Sequence, residues 1–201
     1  QGGQLSAEQG GWATLAPSAV AFGGDLPKIP QAMTTADIAR VQQEFADAAR
    51  RSLAAGYEWL ELHAAHGYLV HQFLSPLSNQ RTDDYGGNFD HRIRFLLEMT
   101  QAVRAVWPDH LPLSVRISGT DWVDGGWDAD QSVELARRLK PAGVDLIDCS
   151  SGGAVPQAKI PVGPGYQVPI AERIRKEAGM ATAAVGMITD PRQADAIVRE
   201  G

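Results

Sequence analysis

Short strand-like segments and longer helix-like segments alternate four times along this chain. The strand-like segments carry alternating apolar residues, and each is followed by a stretch in which apolar residues recur every three or four positions; they lie at 58–63, 113–118, 144–149 and 182–187. No hairpin turn joins two of them, so consecutive strands are connected by helices and run parallel. This pattern predicts an α/β fold built on a parallel sheet.

Capping residues mark where the helices begin. Thr34, with Asp37 three residues later, predicts the start of a helix that ends near Gly56. Asp128 and Asp190 precede two later helices in the same way. The predicted helices span about 34–55, 90–106, 128–140, 170–178 and 190–200.

The chain is interpreted as one partial domain that spans residues 1–201. Residues 1–33 are rich in Gly, Pro, Gln and Ala and have no sustained period, so they predict a loop or extended entry. Residues 34–201 carry the four strand–helix units.

Two architectures fit a parallel sheet of this kind, an open doubly wound sheet and a barrel. Strands inside an open sheet are covered on both faces and are continuously apolar, whereas here Glu61, His63 and Arg116 alternate with aliphatic residues. Polar side chains in this pattern suit a barrel interior near its mouth. No Gly-x-Gly-x-x-Gly segment follows a strand. The sequence therefore predicts a (β/α)8 TIM barrel, of which this chain carries about four central-to-late β/α units.

A barrel places its working groups at the carboxyl ends of its strands, and the first such place carries His63, His66 and Tyr68. Two imidazole N–H groups that converge on one carbonyl oxygen would stabilise negative charge there, and a tyrosine beside them could protonate a carbon atom. The two histidines have two other interpretations. One is a buried histidine next to a surface histidine, and the other is a pair of ligands to a metal ion. A metal ion needs further ligands, and the spacing of the nearby candidates matches no metal motif, so no metal site is predicted.

Three further residues lie at or near strand ends. Arg116 is a charged residue on the polar side of a strand, so it must either pair with Glu61 or Asp148 or bind an anionic group. Gly186 follows the fourth strand, where a glycine fits either an ordinary turn or the close approach of a phosphate to the backbone. Cys149 is expected to be a small buried apolar residue.

The charge balance and the hydropathy exclude several classes of partner. Asp and Glu number 24 against 18 Lys and Arg, which gives a net charge of −6, and no basic run occurs. A surface for nucleic acid or anionic lipid is therefore not expected. No stretch approaches 18 uninterrupted apolar residues, so no membrane span is expected. The single cysteine cannot form an internal disulfide, which fits a cytoplasmic location.

Residues 63–98, HAAHGYLVHQFLSPLSNQRTDDYGGNFDHRIRFLLE, closely resemble the signature of the old yellow enzyme family of flavin-dependent ene-reductases. The paired-histidine form HAAH resembles the NADPH dehydrogenase or xenobiotic-reductase branch, also called thermophilic-like. The similarity continues through PLSVRIS, GVDLIDCSSGG, GPGYQVPIAERIR and TAAVGMITDP, and it covers nearly the whole chain from Trp12 onward.

The resemblance implies a barrel that holds FMN without a covalent bond and takes electrons from NAD(P)H. It implies that His63 and His66 bind the electron-withdrawing group of a small activated alkene and that Tyr68 protonates its α-carbon. It further implies that Arg116 lies by the pyrimidine edge of the flavin and Gly186 near its phosphate. The implied assembly of the full-length protein is a homodimer or homotetramer.

Without the family resemblance, the residues are also compatible with two other functions. One is a metal-dependent barrel hydrolase that uses His63 and His66, and the other is a catalytically silent barrel segment. A complete barrel averages about 250 residues, whereas four units already occupy residues 34–201. We therefore expect part of the flavin site to lie outside this chain and the chain alone to hold FMN poorly.

Overall fold

The computed structural model describes residues 5–200. Two short strands, β1 (Leu15–Ala16) and β2 (Gln31–Ala32), pair in parallel ahead of the first long helix. The chain then continues through α1 (Thr35–Ala54), β3 (Leu60–Ala64), α2 (Leu69–Leu74), α3 (Phe89–Arg104), β4 (Leu113–Ser118), α4 (Ala129–Leu139), β5 (Leu146–Ser150), α5 (Val168–Ala178), β6 (Ala181–Ala184) and α6 (Pro191–Glu200).

The strands β3, β4, β5 and β6 form one sheet in that order, and every neighbouring pair is parallel. Each strand is thus the neighbour of the next one along the chain, as crossovers that contain helices require. The register aligns residues in rows across the sheet, of which one is Leu62, Val115, Ile147 and Thr182 and the next is His63, Arg116, Asp148 and Ala183. Successive rows point to opposite faces of the sheet.

The helices cover one face of this sheet. Leu62, Val115 and Ile147 are buried on that face, and contacts between α1 and α3, α3 and α4, and α4 and α5 make the helices a continuous layer. Phe73 of α2 and Phe95 of α3 stack with their ring centroids 4.2 Å apart. Full burial of each such side chain contributes about 1.5–3 kcal/mol. The predicted division into an aliphatic face and a polar face is confirmed.

The predicted helix caps are also confirmed. The backbone N–H of Thr34 donates to Asp37 Oδ2 at 3.0 Å, and Thr34 Oγ1 accepts from the Asp37 N–H at 3.1 Å. Asp128 caps α4 through its side chain, and Asp190 accepts from a backbone N–H in the first turn of α6. These bonds satisfy backbone donors that the first turn of a helix leaves free.

The structure differs most from the predicted elements in three places, while the bounds of β3 and β5 shift by one or two residues. The sequence pattern predicts no helix at 69–74, where α2 lies. The paired strands β1 and β2 lie within residues 1–33, whose first four residues fall outside the described part. β6 ends at Ala184 instead of residue 187, because Gly186 (φ +123°) and Met187 (φ +51°) turn the backbone into the left-handed region.

Candidate active site

The row that contains His63, Arg116 and Asp148 crosses three adjacent strands near their carboxyl ends. Arg116 Nη1 and Asp148 Oδ2 form an ion pair at 2.9 Å, so Asp148 is the partner of the arginine, whereas Glu61 accepts a hydrogen bond from Ser114. Burial raises the pKa of the Asp148 carboxyl even though Arg116 opposes this effect.

The Arg116 guanidinium keeps a free donor on the polar face. Its buried Nε has no hydrogen-bond partner among residues 5–200, and the ion pair uses only one of its five N–H groups. A buried donor without an acceptor is unfavourable. The arginine therefore fits a further acceptor, such as a polar edge of a bound group.

The loop after β3 brings the two predicted histidines and the tyrosine together. The ring centroids of His63 and His66 are 5.1 Å apart, and those of His63 and Tyr68 are 5.5 Å apart. Tyr68 is 65% exposed, whereas both histidines are half-buried. The three side chains thus form one cluster that is open to solvent on the tyrosine side.

The histidines of this cluster are neutral at pH 7. Burial, and after it the positive charge of Arg116, lowers the pKa of His63 below its ordinary value of 6.5. Burial, and after it the neighbouring His63, lowers the pKa of His66. A neutral imidazole carries one N–H donor and one acceptor nitrogen, so each ring can offer one hydrogen bond to a substrate oxygen.

The backbone of this loop is held in a left-handed turn. His66 has φ +60° and Gly67 has φ +74°. A Cβ atom on Gly67 would lie 1.9 Å from the Gly153 carbonyl oxygen, so only glycine fits there. The His66 backbone N–H donates to Ser118 Oγ at 2.9 Å, which ties the loop to the end of β4.

A serine on β5 orients the His66 ring. His66 Nε2 and Ser150 Oγ are 2.7 Å apart. Gln167 Oε1 accepts a 2.5 Å bond from Ser151, and Ser150 Oγ lies farther from it, at 3.4 Å. The Ser150 hydroxyl therefore occupies His66 Nε2, which leaves Nδ1 as the ring nitrogen of His66 that is open to a ligand. Gln167 carries no functional signal in the sequence, since no local pattern links the start of α5 to a histidine about 100 residues earlier.

Gly186 lies apart from this cluster. A Cβ atom at Gly186 would lie 2.7 Å from Gln167 Nε2 and 2.8 Å from Tyr166 Cε1, so close packing within the protein already requires a glycine there. Gly186 borders an apolar groove of about 760 Å³ between α5, β6 and α6. None of His63, His66, Tyr68 or Arg116 lines that groove.

Residues other than glycine with left-handed backbone angles lie just beyond the carboxyl ends of the strands. Within residues 5–200 they are His66, Trp122 and Met187, and they follow β3, β4 and β6 respectively. Such conformations cost about 1–3 kcal/mol each and cluster at functional sites. Trp122 also has a buried Nε1 with no hydrogen-bond partner among the described residues. These backbone angles leave no signal in the sequence.

The described part of the chain supports no metal site, no reactive thiol and no membrane span. No group of three or more His, Cys, Asp or Glu side chains there is placed to hold a metal ion. Burial raises the pKa of the Cys149 thiol to about 12, with a smaller effect from Asp148, so the thiol stays protonated at neutral pH. No helix among residues 5–200 is long and apolar enough to cross a membrane.

The chain is similar to proteins of one known family. Residues 6–201 match the family described as the NADH:flavin oxidoreductase / NADH oxidase family. An NADPH dehydrogenase of Geobacillus sp. (strain WCH70) is 52% identical over 187 residues, which are 93% of this chain and 54% of that protein. The chain therefore spans about half the length of the curated relatives it matches.

Solved structures place the four strand–helix units in a larger barrel. A 2-naphthoyl-CoA reductase in complex with 2-naphthoyl-CoA matches with a TM-score of 0.86 and 28% identity over 94% of this chain and 30% of that chain. An old yellow enzyme homologue from Zymomonas mobilis has the same fold, with a TM-score of 0.75 and 24% identity over 94% of this chain and 55% of that chain. The predicted barrel is confirmed as the fold class. Because the family match and the fold both extend over nearly all of its residues, this chain belongs to the NADH:flavin oxidoreductase / NADH oxidase family, as its resemblance to old yellow enzymes predicts.

Proposed function

We propose that this chain is part of an FMN-dependent ene-reductase that uses NAD(P)H to reduce a small activated alkene, such as an α,β-unsaturated carbonyl compound. The observation that carries the proposal is the cluster of two neutral histidines, with rings 5.1 Å apart, beside an exposed tyrosine. Family membership and the NADPH dehydrogenase relatives support the flavin and the nicotinamide donor.

The polar face of the sheet fits a flavin. The free Nε donor of Arg116 is suited to an acceptor on the pyrimidine edge, and its charge would stabilise an anionic form of the ring. Gly186 is our candidate for a backbone contact with the phosphate. When bound, FMN would supply hydride transfer from NAD(P)H to the β-carbon of the alkene.

His63 and His66 would hold the carbonyl oxygen of the substrate. Two neutral imidazole N–H groups that donate to one oxygen stabilise the negative charge that develops there during reduction. Since neither ring is charged at pH 7, the oxygen is polarised by hydrogen bonds and takes no proton from an imidazolium. Loss of one such donor lowers the rate by about 10²- to 10³-fold.

Tyr68 would complete the reaction by protonating the α-carbon. Its side chain is 65% exposed, so it can regain a proton from water after each turnover. Its ring centroid lies 5.5 Å from that of His63, which places the hydroxyl-bearing ring beside the proposed position of the carbonyl group. A proton donor in this position acts as a general acid.

The binding role of the histidine pair is tested with His63→Ala/His66→Ala. The flavin-loaded double variant should bind 4-hydroxybenzaldehyde at least 100-fold more weakly, as followed by the change in the flavin absorbance spectrum, because both donors to the ligand oxygen are lost. It should also lose most of its 2-cyclohexenone reduction with NADPH.

His110→Ala is the matched control, since His110 is an exposed histidine at the other end of the sheet. It should leave both the affinity and the rate unchanged. Unchanged affinity in the double variant would contradict the role of the pair. A purified protein of the relatives' length that is colourless and holds stoichiometric zinc would contradict the ene-reductase as a whole and favour the metal-dependent hydrolase.

A further inference from the structure

A buried histidine–aspartate pair lies directly behind the loop that carries His66 and Tyr68. His71 on α2 and Asp121 in the loop after β4 are both fully buried. His71 Nε2 and Asp121 Oδ1 are 2.9 Å apart, and neither atom makes a hydrogen bond of standard geometry to any of residues 5–200. Neither residue belongs to the cluster of the proposed function.

The partners of His71 determine which of its nitrogens carries the proton. The Gly67 backbone N–H donates to His71 Nδ1 at 2.9 Å, so Nδ1 is an acceptor and holds no proton. The proton of the neutral ring is then on Nε2, where it faces the Asp121 carboxylate.

Asp121 is a buried carboxylate with one well-satisfied oxygen. Its Oδ2 accepts from Ser75 Oγ at 2.6 Å and from the Trp127 backbone N–H at 2.8 Å. Burial raises the pKa of Asp121, but the close contact with His71 and the hydrogen bonds from Ser75 and Trp127 outweigh burial, so the net effect lowers the pKa and the group is ionised. An anion held in this way fixes the orientation of the imidazole.

The hydrogen bond from the Gly67 amide to His71 connects the His71–Asp121 pair to the candidate site. Gly67 lies between His66 and Tyr68, and both it and His66 have left-handed backbone angles. A strained turn persists only where its surroundings hold it, and the bond to His71 holds the centre of this one. Ser118 holds the preceding amide, and Gln72 donates to the Gly67 carbonyl at 2.8 Å.

We propose that His71, oriented by Asp121, is a positioning residue that keeps His66 and Tyr68 in their binding arrangement by accepting the Gly67 amide hydrogen bond. The inference rests on the proposed function for the roles of His66 and Tyr68. His71 itself is fully buried and touches no substrate, so it acts through the loop alone.

Two substitutions of His71 distinguish its contact with the Gly67 amide from its contact with Asp121. In His71→Asn, the side-chain oxygen takes the place of Nδ1 and keeps the acceptor for the Gly67 amide. In His71→Gln, the side-chain nitrogen takes the place of Nε2 and keeps the donor to Asp121, while the acceptor for Gly67 is lost. Both variants are smaller than histidine and should lower the melting temperature.

We expect hydrogen exchange at the Gly67 amide to become about tenfold faster in the flavin-loaded His71→Gln protein and to change little in His71→Asn. The kcat for 2-cyclohexenone should fall about tenfold in His71→Gln only. Val103→Ala is the control for stability, because Val103 is a fully buried apolar residue near the end of α3 and belongs neither to the loop nor to the hydrogen bonds of Asp121. It should lower the melting temperature and leave exchange at Gly67 unchanged.

Equal exchange at Gly67 in the two His71 variants, or a kcat that follows the melting temperature across all three, would overturn the proposal. A ¹⁵N chemical shift that shows a protonated His71 Nδ1 in the unsubstituted protein would also overturn it, and this measurement needs no variant. The exchange and shift measurements do not depend on alkene reduction. If the protein reduces no alkene but Gly67 exchange separates the variants as expected, the proposed function fails and the positioning of the loop stands.

Discussion

Gly67 determines the path of the chain between His66 and Tyr68. Its φ of +74° is unfavourable for any residue with a Cβ atom, and that atom would lie 1.9 Å from the Gly153 carbonyl oxygen. The two constraints differ in kind, because the backbone angle is local whereas the clash involves the segment after β5. Gly87, with φ +81° and no atom within 4 Å of its Cβ position, has the first constraint without the second.

This difference makes Gly87→Ala a matched control for Gly67→Ala. Both variants should lose about 1 kcal/mol of stability through the left-handed backbone. Only Gly67→Ala should also lower kcat/KM for 2-cyclohexenone, by at least about tenfold, because the loop must move away from Gly153 and carry His66 and Tyr68 with it. Equal kcat/KM values for the two variants in steady-state assays would show that the clash does not control the loop.

The lowered pKa values of His63 and His66 predict how stability depends on pH. Between about pH 6.5 and their lower folded pKa values, these two side chains bind protons in the unfolded chain but not in the folded one. Their contribution to the free energy of unfolding is therefore full above pH 6.5 and falls as the pH drops through their folded pKa values.

Urea unfolding between pH 7 and pH 5.5 measures this effect. His63→Ala/His66→Ala should lose less stability over that range than the unsubstituted protein. Parallel curves for the double variant and the unsubstituted protein would mean that the two rings titrate normally.

At the level of helices and strands, the sequence predicts those features that nearby residues determine. The alternation of apolar and polar residues in β3 and β4 predicts their two faces, and Thr34 with Asp37 predicts where α1 begins. The contacts that complete the candidate site join distant residues. Gln167 reaches Ser150 and Ser151, and His71 reaches Asp121, and no periodicity or capping rule contains information on such pairs.

The helix α2 shows where the sequence prediction fails among the elements themselves. It has six residues and follows directly on the left-handed turn at His66 and Gly67. Its apolar residues lie buried at 70, 73 and 74, which is a helical spacing too short to stand out from a loop. Packing of Phe73 on Phe95 stabilises it from outside, and this tertiary contact is not visible in the local sequence.

In the molecule as a whole, β3 and β6 each pair on one side only within residues 5–200, and β6 borders the apolar groove of about 760 Å³. The chain covers 54% of an NADPH dehydrogenase relative. A flavin that contacts the polar face of four strands would make fewer contacts than one enclosed by a complete barrel.

We therefore expect the 201-residue chain to bind FMN about 100-fold more weakly than a protein of the relatives' length that contains it, a difference that loss of a few hydrogen bonds explains. Quenching of FMN fluorescence on titration with each protein measures the two affinities. Equal affinities would show that these four strand–helix units hold every contact that matters for the flavin.

The row formed by His63, Arg116 and Asp148 also has a consequence for folding kinetics. Its members are 53 and 32 residues apart along the chain, as their numbers show, so no single strand–helix unit contains the site. Pairing of parallel strands over such separations closes long loops and belongs to the slower events of folding. The chain must thus complete two non-local strand pairings before His63, Arg116 and Asp148 lie side by side. We therefore expect ligand binding to appear late in folding and to be absent from an early intermediate that contains only helices.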